Sequence, residues 1–299
     1  MGSSELSQGL PFTPFTFLAL PPEANTYQRA AIVVLPVPYD STASYKSGAR
    51  EGPEAIIRAS RELEDYDVEL GCEPCSVGIH TTQALEPDLR SPEAMTHRVA
   101  QAVEPMARDG KLVAVLGGDH SITIGAVRAM ASVYPDMGVL YLDAHADFRD
   151  EYLGTRWGHA SSARRLAETC PVALVGVRSM CQEEARELPT SNVSLFPSSP
   201  EGTVAWDALI DSLRPNVYVS VDLDVFDPSI MPAVGTPEPG GMGWYEVLGL
   251  LRRVAERRHI VGFDVVELAP QEGPASCSYI AARLAYKLMG YSVALRPKA

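Results

Sequence analysis

The chain has 299 residues, with 25 Lys+Arg against 38 Asp+Glu and a formal net charge of −13. Hydrophobic residues at 46% and charged residues at 21% are globular values, which exclude disorder as a whole-chain description. The acidic balance argues against a nucleic-acid binder, which needs a basic footprint, and is compatible with a cationic partner.

In chain order, residues 1–27 are rich in Pro, Ser, Thr and Phe and lack helical periodicity. They read as an irregular arm that packs on the body or on a neighbouring subunit. The apolar stretch 11–20 is broken by Pro14 and has no positively charged start, so it does not read as a signal peptide. Val- and Ile-rich runs at 31–37, 112–116, 139–142, 172–177, 217–221 and 260–266 are apolar on both faces and predict buried strands. Helical spacing predicts helices at 53–63, 92–107, 121–133, 157–169, 245–259 and 278–289. Asp109-Gly110 and Gly290 read as left-handed stops for the second and the last. Strands alternating with helices imply an α/β fold with a mostly parallel sheet covered on both sides. No linker or repeat divides the chain, so 28–299 reads as one domain.

No run reaches the ~20 apolar residues of a membrane span. Five scattered cysteines, an odd number, suit a reducing, cytoplasmic setting. Cys72 and Cys75 form a C-x-x-C with no second pair, which reads as incidental.

Ligands of parallel α/β sheets bind beyond the carboxyl ends of the strands. There the run 112–116 leads into Gly117-Gly118-Asp119-His120, and 139–142 into Asp143-Ala144-His145-Ala146-Asp147. Likewise 217–221 leads into Asp222-Leu223-Asp224, and 260–266 ends at Glu267. Carboxylates beside buried runs need a partner, because an unpaired buried charge costs several kcal/mol. Extended-chain alternation lets Asp143, His145 and Asp147 converge, and likewise Asp222 and Asp224. With His120 these are six candidate metal ligands, too many for one ion with about three or four protein ligands. Two ions sharing bridging carboxylates fit the count. Oxygen and nitrogen donors without a thiolate favour Mn²⁺ or a similar divalent ion over structural zinc; Fe²⁺, Co²⁺ and Ni²⁺ accept the same set.

These residues resemble a known family. Gly117-Gly118-Asp119-His120-Ser121, Asp143-Ala144-His145-Ala146-Asp147 and Ser220-Val221-Asp222-Leu223-Asp224-Val225-Phe226-Asp227-Pro228 are similar to the three signatures of the ureohydrolases. That family includes arginase, agmatinase and formimidoylglutamase. The resemblance runs from about Ala30 to Gly290 and includes Gly235-Thr236-Pro237-Glu238-Pro239-Gly240-Gly241. It implies a three-layer αβα sandwich and two Mn²⁺ per subunit. One ion would take His120, Asp143, Asp147 and Asp222, the other Asp143, His145, Asp222 and Asp224. It also implies a proton-shuttle histidine at His159 and a guanidinium-binding glutamate at Glu267. Trimers or hexamers are implied by the resemblance alone.

The implied chemistry is attack of a metal-bridging hydroxide on a guanidino carbon, with Asp147 accepting a proton and His159 protonating the leaving amine. In arginases the loop matching 148–158 carries small polar side chains for an α-carboxylate. Here it reads Arg149-Asp150-Glu151-Tyr152, and Gly158-His159-Ala160-Ser161 stands where arginases carry Leu-His-Gly. Both stretches, with Gly48-Ala49-Arg50-Glu51-Gly52-Pro53, look like the agmatinase branch. The first expectation is agmatine cleaved to urea and putrescine, with Asp150 or Glu151 attracting its distal ammonium. An alternative for these two is pairing with Arg149 or Arg156. Aminopropylagmatine, giving spermidine, is the rival substrate, followed by arginine and guanidinobutyrate. A non-catalytic guanidine-binding homologue is the alternative of another class, and the intact His159 and Glu267 argue against it. His80, His97 and His259 lie outside every signature and read as surface or capping groups, while Asp119 and Asp227 read as supporting or turn residues.

Overall fold

The computed structural model describes residues 13–198 and 206–295. At its centre are eight strands: β1 (Ile32–Val37), β2 (Ile79–Thr81), β3 (Leu112–Gly117), β4 (Met137–Leu142), β5 (Val172–Val175), β6 (Val193–Phe196), β7 (Asn216–Asp222) and β8 (His259–Val266). They form one sheet in the order β2-β1-β3-β8-β7-β4-β5-β6, and every pairing is parallel. The expected α/β class with a covered parallel sheet is therefore what forms.

The helices are α1 (Gly52–Ser60), α2 (Pro92–Arg108), α3 (Ile122–Val133), α4 (Ser162–Ala167), α5 (Gln182–Glu187), α6 (Trp206–Ser212), α7 (Trp244–Arg257) and α8 (Ser276–Ala294). Apolar stripes of α1, α6, α7 and α8, such as Ile56, Leu209, Leu251 and Leu284, close one face of the sheet. Val99, Val103, Val127 and Leu166 of α2, α3 and α4 close the other. Every residue of β1, β3, β4 and β5 is buried, which is why those runs are apolar on both faces. Each fully buried Leu, Ile or Val contributes roughly 1.5–3 kcal/mol.

Several sequence expectations change. The edge strands β2 and β6 were not expected: β2 has three residues, and β6 is only partly buried. The short helices α5 and α6 were also not expected. Instead of a helix over 157–169, α4 covers only Ser162–Ala167, because Gly158 is extended and His159–Ser161 form a 3-10 turn. Gly110, at φ +71°, does end α2 as a left-handed stop. Gly290 does not end α8, which runs on to Ala294; a Cβ there would lie 2.6 Å from Leu70 Cδ1, so this glycine serves close packing. Of the N-terminal arm, residues 1–12 lie outside the described residues. The part that follows packs on the body, with Phe17 and Leu18 buried, the Phe17 ring 6.3 Å from Tyr286, and the Leu18 N–H donating to Ser60 Oγ at 2.9 Å.

The topology positions the site. The chain passes from β3 through α3 to β4, and β8 and β7 lie between those two strands. The carboxyl ends of β3, β8, β7 and β4 are therefore side by side, at a switch point of the sheet.

Candidate metal centre

Each of these four strand ends delivers charged side chains. After β3, Gly118 lies against the Tyr39 backbone so closely that a Cβ would sit 1.9 Å from the Tyr39 carbonyl oxygen. Only glycine fits there, and the turn it allows sets His120 at the start of α3. Beyond β4 come Asp143, His145 and Asp147, and Asp222 ends β7 with Asp224 in the following 3-10 turn. Beyond β8 comes Glu267, whose N–H donates to the Gly118 carbonyl at 2.8 Å and whose Oε1 accepts the His120 N–H at 2.7 Å.

The six candidate ligands converge, although not by extended-chain alternation. Residues 143–147 leave the strand as a loop, with Asp147 in the left-handed region at φ +48°, and Asp224 lies in a 3-10 turn. One ligand atom each from His120, Asp143 and Asp147 lies within 4.8 Å of the others, and the same holds for Asp143, His145 and Asp224. Asp143 belongs to both groups. His120 Nδ1 is 3.0 Å from Asp143 Oδ2 and 3.2 Å from Asp222 Oδ2; His145 Nδ1 is 2.9 Å from Asp224 Oδ2. Asp222 thus joins the first group through Oδ2, while its Oδ1 accepts the Asp224 N–H at 2.8 Å.

All four aspartates are at most 7% exposed. Burial and the neighbouring Asp143 hold the Asp147 carboxyl well above the usual carboxylate range. Burial together with Asp224 and Asp143 does the same to Asp222, and burial together with Asp119 does so to Glu267. Burial would lower His145, but its bonds to Asp143 and Asp224 prevail and push it up to about 12. Buried carboxylates in mutual contact call for more positive charge than two imidazoles bring. Their oxygen and nitrogen donors fit divalent cations of the Mn²⁺ type, and the two groups sharing Asp143 fit a pair of them.

Several supporting residues were not anticipated. Ser220 Oγ donates to Asp264 Oδ1 at 2.6 Å and lies 2.8 Å from His120 Nε2, so it accepts the Nε2–H and presents Nδ1 to the carboxylates. Asp264 is fully buried and also accepts the hydroxyls of Thr123 and Tyr218, each at 2.9 Å. Tyr141 stacks on His120 with ring centroids 4.2 Å apart and donates to Asp147 Oδ2 at 2.8 Å. The sequence held the signal: Tyr141 and Ser220 each stand two residues before an aspartate ligand candidate, and Asp264 is the one charge inside an apolar run. Arg178 donates to the carbonyls of Asp224 at 2.6 Å and Glu238 at 2.8 Å, tying two loops of the site together.

A cavity of about 320 Å³ opens over the cluster, lined in part by Asp147, Asp222, His159 and Glu267. His159 is held with Nδ1 3.2 Å from Thr42 Oγ1 and Nε2 3.2 Å from Ser44 Oγ, and burial holds its pKa below the ordinary imidazole value. Asp150 and Glu151, expected at a distal ammonium, are not among the lining residues. The Asp150 carboxylate faces Arg156 and Arg165, both at 2.8 Å, and Arg164 at 3.4 Å. Arg149 and Tyr152, from the same loop, line the cavity instead, with the guanidinium 4.7 Å from the ring centroid. A further wall residue is Glu184, whose oxygens accept the N–H groups of Phe148 at 2.8 Å and Cys181 at 2.7 Å.

The remaining histidines and the Cys72–Cys75 pair stay outside. His80 bonds the Asn25 carbonyl oxygen at the sheet edge, His97 lies on α2, and His259 begins β8 at the opposite end of the sheet. Cys72 and Cys75 are free thiols. Asp227 accepts the N–H groups of Ser229, Gly240 and Gly241, as a turn residue does. No helix among the described residues is long and apolar enough to cross a membrane.

Residues 30–290 match the model of the arginase family. An N(1)-aminopropylagmatine ureohydrolase of Synechocystis sp. is 41% identical over 277 residues, which cover 89% of this chain and 90% of that protein. An agmatinase of Pyrococcus horikoshii is 36% identical over 88% of this chain and 92% of that protein. The solved agmatine ureohydrolase of Thermoplasma volcanium superposes with a TM-score of 0.87 at 32% identity, covering 98% of both chains. The signatures, the fold and the carboxylate–histidine cluster thus agree, and the chain belongs to the arginase family of ureohydrolases.

Proposed function

We propose that this protein hydrolyses the guanidino group of a polyamine precursor to urea and a primary amine, with N(1)-aminopropylagmatine ahead of agmatine. The observation that carries the substrate choice is the ranking of relatives. Proteins named for aminopropylagmatine are 41% and 42% identical, against 36% for an agmatinase. This reverses the order expected from the sequence, which set agmatine first. Agmatine stays the second reading because of the agmatine ureohydrolase superposition.

In this reading, His120, Asp143, Asp147 and Asp222 would hold one Mn²⁺, and Asp143, His145, Asp222 and Asp224 would hold the other. Two divalent ions there would supply a water activated for attack near neutral pH. Glu267 takes two guanidinium N–H groups in a bidentate pair and turns the carbon toward the ligand cluster. Its backbone, at φ +67° and tied to Gly118, fixes that aim. Asp147 takes up the proton released on attack, and Tyr141 orients it by donating to Oδ2. His159 takes up a proton from solvent at Nε2 and passes it to the leaving amine. With four aspartates balanced by two divalent ions and Lys46 paired with Glu272, Glu267 and Glu184 against Arg149 leave one negative charge on the wall. That balance suits a cationic substrate.

The test is urea release by Mn²⁺-loaded protein from aminopropylagmatine, agmatine, arginine and guanidinobutyrate, compared as kcat/KM. Preference for the aminopropyl compound supports the reading, and preference for arginine or guanidinobutyrate refutes it. No urea from any of them, with two metals bound per chain, would point to a non-catalytic guanidine binder.

A further inference from the structure

We propose that Asp119 and Thr42 are positioning residues that lock His159 in one tautomer, with the proton on Nδ1 and the lone pair on Nε2. This rests on the reading of His159 as the proton donor to the leaving amine.

Thr42 Oγ1 lies 2.8 Å from Asp119 Oδ2, 3.0 Å from the His159 backbone N and 3.2 Å from His159 Nδ1. A hydroxyl has one proton to give and two lone pairs to receive. Asp119 is fully buried, and three other donors converge on it: the Thr42 N–H at 2.9 Å, the Ser121 N–H at 3.1 Å and the Ser121 hydroxyl. A carboxylate gathering donors in this way is an acceptor, so the Thr42 proton points to Asp119. Both Thr42 lone pairs then face His159, one receiving its backbone N–H. The other requires a proton on Nδ1. By elimination Nε2 of the neutral ring is the basic nitrogen, and Ser44 Oγ stands 3.2 Å from it in the cavity wall. The hydrogen bond at one ring nitrogen decides which tautomer is present.

The fold builds this chain from three places. Thr42 and Ser44 come from the loop after β1, Asp119 from the turn after β3, and His159 from the 3-10 turn before α4. Two glycines permit the approach. Gly118 lets the Asp119 turn lie on Tyr39, and a Cβ on Gly158 would meet Thr155 Cγ2 at 3.3 Å and Thr42 Cβ at 3.5 Å. Asp119 also adjoins His120, so one turn serves both the ligand cluster and the proton donor.

Thr42→Val keeps the side-chain shape and removes the hydroxyl, whereas Thr42→Ser keeps the hydroxyl. For Thr42→Val we expect kcat to fall by roughly tenfold to a hundredfold, within the range of a general-acid contribution, with KM and metal content held within about twofold. Thr42→Ser should recover most of kcat. A second readout does not use turnover: ¹⁵N-histidine spectra of protein loaded with diamagnetic Zn²⁺, with the His159 signals assigned by His159→Asn. The wild type should show a protonated Nδ1 and an unprotonated Nε2 at His159, and Thr42→Val a mixture of tautomers. A wild-type ring protonated at Nε2 alone would overturn the proposal, as would an unchanged kcat in Thr42→Val. Equal loss in Thr42→Ser and Thr42→Val would make the effect steric and overturn it too. Full turnover in His159→Asn would defeat the proton-donor reading instead, and the spectra would still decide the tautomer.

Discussion

The ligand cluster makes a directional claim about stability against pH once its metals are chelated. In that state the groups face one another with protons as the available counter-charge. Burial and like charges hold Asp147, Asp222 and Glu267 above the usual carboxylate range. His145 is pushed up to about 12 by Asp143 and Asp224 despite its burial. A group whose folded pKa is raised stabilises fully below its unfolded pKa, and that stability is lost as pH rises toward the folded value. For His145 the loss begins near the ordinary imidazole value of about 6.5. From there upward the folded chain keeps one proton that the unfolded chain releases, a slope of about 1.4 kcal/mol per pH unit from this residue alone. The raised carboxyls have the same sign, with a loss that begins lower, near the ordinary carboxylate value of about 4. Chelated protein should therefore lose about 1.4 kcal/mol between pH ~7 and ~8. Metal-loaded protein should not follow, because deprotonated ligands bind the ion more tightly as pH rises. Ion at about a hundred times its Kd adds about 2.7 kcal/mol. Urea unfolding of both forms at half-unit pH steps measures the two slopes. A chelated protein whose stability is flat or rises over that window would refute the charge arrangement described for the site.

Three further outcomes are expected. Ser220→Ala leaves the buried His120 Nε2–H and one oxygen of Asp264 without their partner, at about 1–3 kcal/mol, and should weaken metal binding roughly tenfold to a hundredfold; competition with a chromogenic chelator measures the affinity, and unaltered affinity refutes the tether. Asp222→Asn should lose metal and turnover together, so elemental analysis finding full occupancy beside normal activity would overturn its ligand role. Asp150→Asn should leave KM for cationic guanidines within about twofold and lower stability by about 1 kcal/mol, because Asp150 pairs with Arg156 and Arg165 rather than facing the cavity; a large rise in KM would restore it as a substrate contact.

The core strands were legible because both of their faces are buried, so an apolar run such as 112–116 has no other stable place. Edge strands lack that constraint: β2 is three residues long and β6 is half open to solvent, and neither leaves such a run. The helical spacing over 157–169 overstates α4 because it continues through residues that the turn at Gly158 withdraws from the helix. At Gly290 a single sequence does not distinguish a glycine that ends a helix from one that lets Leu70 approach. Asp150 misled for a related reason. Composition shows a carboxylate in the right loop, but its direction depends on Arg164 and Arg165, which α4 brings in from a later segment.

The ligand candidates were found for a reason only partly correct. Alternation along an extended chain predicts convergence of Asp143, His145 and Asp147, and these residues converge through a loop instead. Asp147 at φ +48° and Glu267 at φ +67° both occupy the left-handed region, which costs a non-glycine residue of the order of 1–3 kcal/mol. Neither conformation would hold without ties from elsewhere in the fold. The Arg164 N–H donates to the Asp147 carbonyl at 3.3 Å, and the Glu267 N–H reaches the Gly118 carbonyl at 2.8 Å. Gly118 is itself held against Tyr39, whose carbonyl accepts the Asp119 N–H at 2.7 Å. Residue types and spacing therefore identify which side chains do the chemistry. Their aim comes from neighbouring strand ends that meet because β8 and β7 lie between β3 and β4.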